Sequence, residues 1–229
     1  MMRLIDDDRP VIVFDVLGTL VDQAGSLRRH VSAATGGDLS AANRVVTSWL
    51  DHVARREHDI IAGRTSFAPS HELDSEALAR LAADGEFPAE AIPPLASAAQ
   101  HLEPWPDAVE GLTRLADDVT VMGLSNASRR VLTGLSGNSG MRWHQVLSAE
   151  DVHTYKPDPA IYRLALSAAP KGAPPPYMAA AHAWDLRAAA KAGLRTAYVP
   201  RPNGDPPADD DAFDLYAEDL AHLRALLSR

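Results

Sequence analysis

The apolar and polar positions divide the chain into two regimes. Val11–Phe14 is an unbroken run of β-branched and aromatic residues, followed by Asp15 and then by Gly18-Thr19, and it predicts a buried strand ending in a tight loop. An acid then stands at the strand's carboxyl end. From Ala24 to about Leu102 the chain changes to helix-forming stretches rich in Ala, Arg and Glu, clearest over 43–61 and 75–83, with no convincing strand. After Pro104 and Pro106 the pattern alternates. It predicts helix 107–117, strand 119–124, helix 128–135, a short strand near Val146-Leu147, helix 159–169, strand 178–181, helix 186–192, strand 196–199 and a closing helix 217–227. Strands separated by helices of about ten residues need crossover connections, so the expected class is α/β with a doubly wound parallel sheet. Two stretches read as surface loops: 169–176, with a triple Pro, and 200–211, with three consecutive Asp. No internal repeat stands out.

Composition narrows the classes. The 229 residues, 46% hydrophobic and 23% charged, suffice for one large domain or a core with a smaller insertion, which excludes a disordered tail protein. A net charge of −9 offers phosphate backbones and anionic lipid no broad attraction, so neither nucleic acid nor a membrane surface is an expected partner. Any anionic substrate must be held by a few local cations. With no cysteine, a disulfide framework, thiolate metal sites and a Cys nucleophile are excluded together. The first ten residues carry acids where a signal peptide needs an apolar stretch, and no run approaches the ~18 apolar residues of a membrane span. The expectation is a soluble cytoplasmic protein.

Candidate chemistry sits at the ends of predicted strands or in the loops after them: Asp15, Ser125-Asn126, Lys156 and Asp185. A parallel sheet gathers such positions into one crevice. Singly, each has a plainer reading. Asp15 can satisfy turn amides, Lys156 can be a surface lysine, and Asp158 before Pro159 reads as a helix cap. Asp185 and Ser125-Asn126 can likewise cap the helices that follow them.

In this order the motifs resemble those of the haloacid dehalogenase superfamily. V-I-V-F-D-V-L-G-T-L resembles its first motif, L-S-N-A-S at 124–128 the second, Y-K-P-D-P at 155–159 the third and A-H-A-W-D at 181–185 the fourth. The resemblance implies a Rossmann-like core, residues 1–23 and 104–229, with an inserted helical cap, residues 24–103. Phosphatases of the superfamily usually carry a second Asp where this chain has Leu17, and an acid supporting magnesium where it has Ala181. The branch that matches is the metal-free L-2-haloacid dehalogenase group, to which A-W-D and Tyr162 are similar.

Carried over, the resemblance makes Asp15 the nucleophile that displaces halide and forms an ester. Lys156 would neutralise and orient it, Thr19 and Ser125 would hold its oxygens with nearby loop amides, and Asp185 would position or activate the hydrolytic water. Val16, Leu17, Asn126, Tyr162, His182 and Leu50 are the expected substrate-lining positions, with no metal and no cofactor. The substrate implied is a small halogenated carboxylic acid, and the related dehalogenases are commonly dimers. Three departures stand out: Leu17 where the group has Tyr, His182 where it has Asn, and Leu50 where it has a substrate-binding Arg. Arg28, Arg29, Arg55, Arg56 and Arg64 are the substitutes to consider, against a plainer reading as solvated helix-face charges. His182 can serve as a water-activating partner or as a hydrogen-bonded filler, and Trp49 and Trp105 read as packing residues. His30, His52, His58 and His71 show no metal-site spacing. Two other functions remain open on the residues: a metal-free relative opening strained azetidine carboxylates, and a phosphatase-like or binding protein with a degenerate metal site.

Overall fold

The computed structural model describes residues 9–170 and 173–228. Six strands, β1 (Val11–Phe14), β2 (Thr120–Ser125), β3 (Gln145–Ser148), β4 (Tyr177–Ala180), β5 (Arg195–Tyr198) and β6 (Leu215–Tyr216), form one sheet in the order β3-β2-β1-β4-β5-β6. All five pairings are parallel. The order reverses at β1, whose neighbours are β2 on one side and β4 on the other. The carboxyl end of β1 is therefore the switch point at which such sheets open a crevice.

Between β1 and β2 the chain inserts α1 (Gln23–Thr35), α2 (Leu39–Ile61), α3 (Ser70–Ala83) and the short α4 (Ile92–Leu95), then returns through α5 (Ala108–Asp118). The crossovers that follow carry α6 (Arg129–Ser139), α7 (Pro159–Ala168), α8 (Ala183–Ala192) and α9 (Leu220–Leu227). Alternation along β1 supplies both faces of the sheet. Ile12 and Phe14 pack with Leu112 and Leu115 of α5, Val131 and Leu135 of α6, and Leu220 and Leu223 of α9. Val11 and Val13 pack with Ile161 and Ala165 of α7 and Leu186 and Ala189 of α8. The insertion reaches both layers. Leu27, Val46 and Trp49 join the first cluster, while Ile60 and Leu73 join the second.

Element ends differ from the expectations where a cap or a long-range bond decides them. Asp38 accepts from Ala41 N at 2.7 Å and starts α2 four residues early. α1 opens on Asp22, which accepts from Gly25 N at 2.9 Å. The closing helix starts at Leu220 rather than 217, because Asp219 accepts from His222 N at 2.7 Å. Ala217 N instead donates to Tyr198 O at 2.9 Å beside β6, a two-residue edge strand too short to leave a periodic signal. Positions 171–172 of the expected loop 169–176 lie outside the described residues, as do 1–8, on which the signal-peptide argument rested. No helix among the described residues is long and apolar enough to cross a membrane.

Candidate active site

The site grows out of the turn that follows β1. Asp15 N donates to Ala179 O at 3.0 Å, which extends the ladder one residue past the strand and brings the carboxylate to the crevice. Leu20 N to Val16 O (3.0 Å) and Gly18 N to Val21 O (3.1 Å) close the turn. Gly18 has φ +86°, and a side chain there would place Cβ 2.6 Å from His182 Nε2. Two distant side chains hold the turn's carbonyls: Trp105 Nε1 donates to Gly18 O at 3.0 Å and Arg201 Nε to Thr19 O at 2.9 Å.

Five polar side chains meet inside this frame. Thr19 Oγ1 donates to Asp15 Oδ2 at 2.7 Å and accepts from Ala181 N at 3.0 Å. Lys156 Nζ lies 2.9 Å from Asp15 Oδ1 and 2.7 Å from Asp185 Oδ2. Tyr162 OH donates to the other oxygen of Asp185 at 2.6 Å. Lys156 is 4% exposed and Asp185 fully buried, so this is an ion triad in low dielectric rather than a surface pair. Burial disfavours the Lys156 ammonium, yet the Asp15 and Asp185 carboxylates outweigh it and hold its pKa above the usual lysine value. Burial pushes Asp185 upward; the lysine opposes that shift and Asp15 adds to it. Burial, and then the Asp185 carboxylate that its hydroxyl meets, raise Tyr162 as well, which keeps it a neutral donor.

Asp15 and Lys156 open onto a cavity of about 230 Å³. From the core side Leu17, Asn126, His182 and Trp184 line it; Gln23 comes from α1, and Leu50, Val53, Ala54 and Glu57 come from α2. Lys156 is the only lysine or arginine in that lining among the described residues. The five arginines considered as carboxylate clamps are elsewhere. Arg28 donates to Asn43, Arg29 to Glu103, Arg56 to Glu76 and Arg64 to Asp59, while Arg55 borders a separate polar cleft with Asp51 and Asp84.

Other expected positions fall behind the cavity wall. Val16 is buried in the apolar core, and Tyr162 is sealed behind Asp185. Ser125 is buried and its Oγ accepts from Ala127 N at 3.1 Å rather than meeting Asp15. The capping alternatives also resolve. Ser128, not Ser125 or Asn126, is the N-cap of α6. Asp185 lies inside the first turn of α8, where Asp205 accepts from Trp184 N at 3.1 Å instead. Asp158 does cap α7, accepting from Ala160 N at 2.8 Å. Ala181 presents only a methyl group; its backbone N–H goes to Thr19 and its carbonyl accepts from Asp205 N at 3.0 Å. Trp49 packs in the core and donates to Asp74 at 2.8 Å, and Trp105 braces the turn.

Sequence reasoning missed Gln23, Val53, Ala54, Glu57 and Trp184. A signal existed for part of this set, because positions 50, 53, 54 and 57 share one face of a helix. Which face looks inward is set by packing.

A family model described as haloacid dehalogenase-like hydrolase matches residues 10–193. An (S)-2-haloacid dehalogenase of Pseudomonas fluorescens is 34% identical over 113 residues, 48% of this chain and 50% of that protein, so the match spans about half of that relative's length. (S)-2-haloacid dehalogenase 1 of Pseudomonas sp. (strain CBS-3) is 28% identical over 206 residues, 83% of this chain and 84% of that one. A crystal structure of an L-2-haloacid dehalogenase superposes with a TM-score of 0.84 at 28% identity, covering 96% of this chain and 98% of the other. With the family model matched across most of its length, the chain belongs to the haloacid dehalogenase-like hydrolases.

Proposed function

We propose that this protein is a metal-independent hydrolase that breaks a carbon–halogen bond of a small 2-haloacid through an aspartyl ester at Asp15. The observation that carries the reading is the buried Lys156 ammonium shared by Asp15 and Asp185 at the wall of the cavity. On this reading residues 1–23 and 104–229 form the catalytic core and 24–103 a helical cap. Leu17 and Ala181 add no carboxylate, and the lysine already supplies positive charge between the two carboxylates present, which supports chemistry without a metal.

Thr19 and Lys156 each hold one oxygen of Asp15, so the nucleophile is oriented before substrate arrives. An Asp15 oxygen attacks the halogen-bearing carbon; the C–O bond forms as the C–X electron pair leaves with halide, which needs no proton. Water then adds to the ester carbonyl and the hydroxy acid departs. Asp185, with both oxygens occupied, positions Lys156. His182 faces the cavity beside Gly18 and takes one proton from the water, returning it to the departing alkoxide. The second water proton goes to solvent as Asp15 becomes a carboxylate again.

The test is halide release from a panel of 2-haloacids in chelator. We expect Asp15→Asn to lose at least about 10³-fold in rate. A single turnover with enzyme in excess in ¹⁸O-labelled water should leave one heavy oxygen in the Asp15 peptide. An unlabelled Asp15 after turnover would rule out the ester, and absence of halide from every member would rule out the substrate class. His182→Ala should accumulate the ester, whereas Asp185→Asn should slow its formation too.

A further inference from the structure

The cap side of the cavity is one face of α2. Leu50, Val53 and Ala54 make it apolar, and one turn further along Glu57 ends it with a carboxyl group. Glu57 also lines a smaller enclosed space of about 50 Å³ behind the first, with Leu17, Leu50, Val53, Asp74 and Asn126. Its orientation is fixed from the core. Asn126 Oδ1 accepts from Lys156 N at 2.9 Å, so its amide nitrogen must be the donor to Glu57 Oε2, at 3.0 Å. Among the described residues no other hydrogen bond or ion pair involves the Glu57 carboxyl.

The charged and titratable groups around Glu57 come from several elements. Asp74 of α3 and Lys156 act on it through their charges, Asp15 and His182 face it across the same cavity, and Tyr155 is near enough to sense its charge. Burial raises Glu57, the Asn126 bond lowers it, Asp74 raises it and Lys156 lowers it, leaving it at about 8. At neutral pH it is therefore mostly a carboxylic acid. An anion entering this space meets Lys156, already shared by two carboxylates, and, among the described residues, no other lysine or arginine in the lining.

We propose that Glu57, as a neutral acid, receives the carboxylate of the substrate at the cap end of the cavity and so determines which headgroup the site accepts. The proposal rests on the reading of Asp15 as a nucleophile toward 2-haloacids and adds the contact that holds their carboxylate. The bond is O–H···O⁻, the charge-assisted type that is shorter and stronger than a neutral pair. Once ionised, the same group repels the same substrate. One proton thus switches the site between binding and rejecting an anion, and by reciprocity a bound carboxylate tightens that proton.

Two measurements test this. The first is kcat/KM for 2-chloropropionate from about pH 6 to about pH 10, a profile that reports groups of the free enzyme. We expect the wild-type value to fall about tenfold per pH unit above about 8, carried by KM, as the acid form of Glu57 is lost. Glu57→Gln, which keeps a donor and cannot titrate, should be flat over that range; Glu57→Ala should be low throughout. The second follows the Glu57 carboxyl by carbon NMR with and without propionate, an unreactive probe that should raise its titration midpoint. A wild-type kcat/KM that rises or stays flat, an unchanged KM in Glu57→Ala, or a midpoint indifferent to propionate would overturn the proposal. Halide release from 2-chloropropionamide but not from 2-chloropropionate would keep the Asp15 chemistry and overturn the role of Glu57. Propionate raising the midpoint with no halide from any 2-haloacid would do the reverse.

Discussion

Lys156 has the most electrostatic weight of any side chain at the site. Its ammonium touches two buried carboxylates at 2.9 and 2.7 Å, and removing it would leave them facing each other without a counter-charge. Breaking a buried set in this way costs far more than the set contributes over an apolar replacement. We expect Lys156→Met to lower stability by about 3–5 kcal/mol, seen in thermal or denaturant unfolding, and to abolish halide release. Adding Asp185→Asn should restore part of the stability and none of the activity, because Asp15 would still lack its cation. Lysine's raised pKa adds a stability term of definite sign. It is fully present below the unfolded lysine value of 10.5 and is lost as pH climbs through the higher folded one.

The turn from Asp15 to Thr19 is shaped by contacts from three remote segments. Trp105 and Arg201 hold its carbonyls, and the His182 ring lies against Gly18. Gly18 is required twice, for φ +86° and for the space the imidazole occupies. Gly18→Ala should cost about 1–3 kcal/mol and lower kcat, since the strained turn carries Asp15 and Thr19. In Gly18→Ala/His182→Ala the clash is gone but the backbone strain persists, so stability should recover only in part. Recovery to the level of His182→Ala alone would refute the strain component. Both quantities are read from unfolding curves and steady-state rates.

Across the whole molecule, the cavity exists only because the inserted helices are fastened to the core. Tyr155 OH donates to Ala68 O at 2.6 Å, Ser128 N to Ser70 Oγ at 2.8 Å, and Asn126 reaches Glu57. His71 Nδ1 and Ser128 Oγ also lie 3.0 Å apart. Tyr155 is fully buried and immediately precedes Lys156, so one residue ties the α2–α3 connection to the segment that carries the ammonium. Tyr155→Phe leaves the Ala68 carbonyl without its donor, and we expect a loss of about 1–3 kcal/mol. As the insertion loosens over the crevice, KM should rise more than kcat falls. Unchanged stability together with an unchanged KM would show that this contact does not fasten the insertion.

How much of this could be read in advance depends on how far each determinant lies along the chain. The unbroken apolar run at 11–14, the helical block, and the succession of helices and strands after Pro106 are local patterns, so the parallel α/β class and the helical block between the first two strands were legible. Asp15, Lys156 and Asp185 were legible as candidates because strand ends converge in any such sheet, whereas Thr19 came only from the resemblance to the haloacid dehalogenases. Boundaries decided by a single cap or a single long-range bond were not, as Leu39, Leu220 and β6 illustrate. Nor was the division of the site into a wall and a backing. Val16, Ser125 and Tyr162 went behind the wall, while Glu57, Trp184 and Gln23 came to it. In sequence Glu57 is one more charge on a helix rich in them, as ordinary as Arg55 or Arg56. Its chemistry comes from Asn126, 69 residues away, and from the burial that follows when two regions pack. Backbone pattern is written within a turn or two of the chain, whereas the solvation of a carboxyl group is set by whatever the fold brings against it.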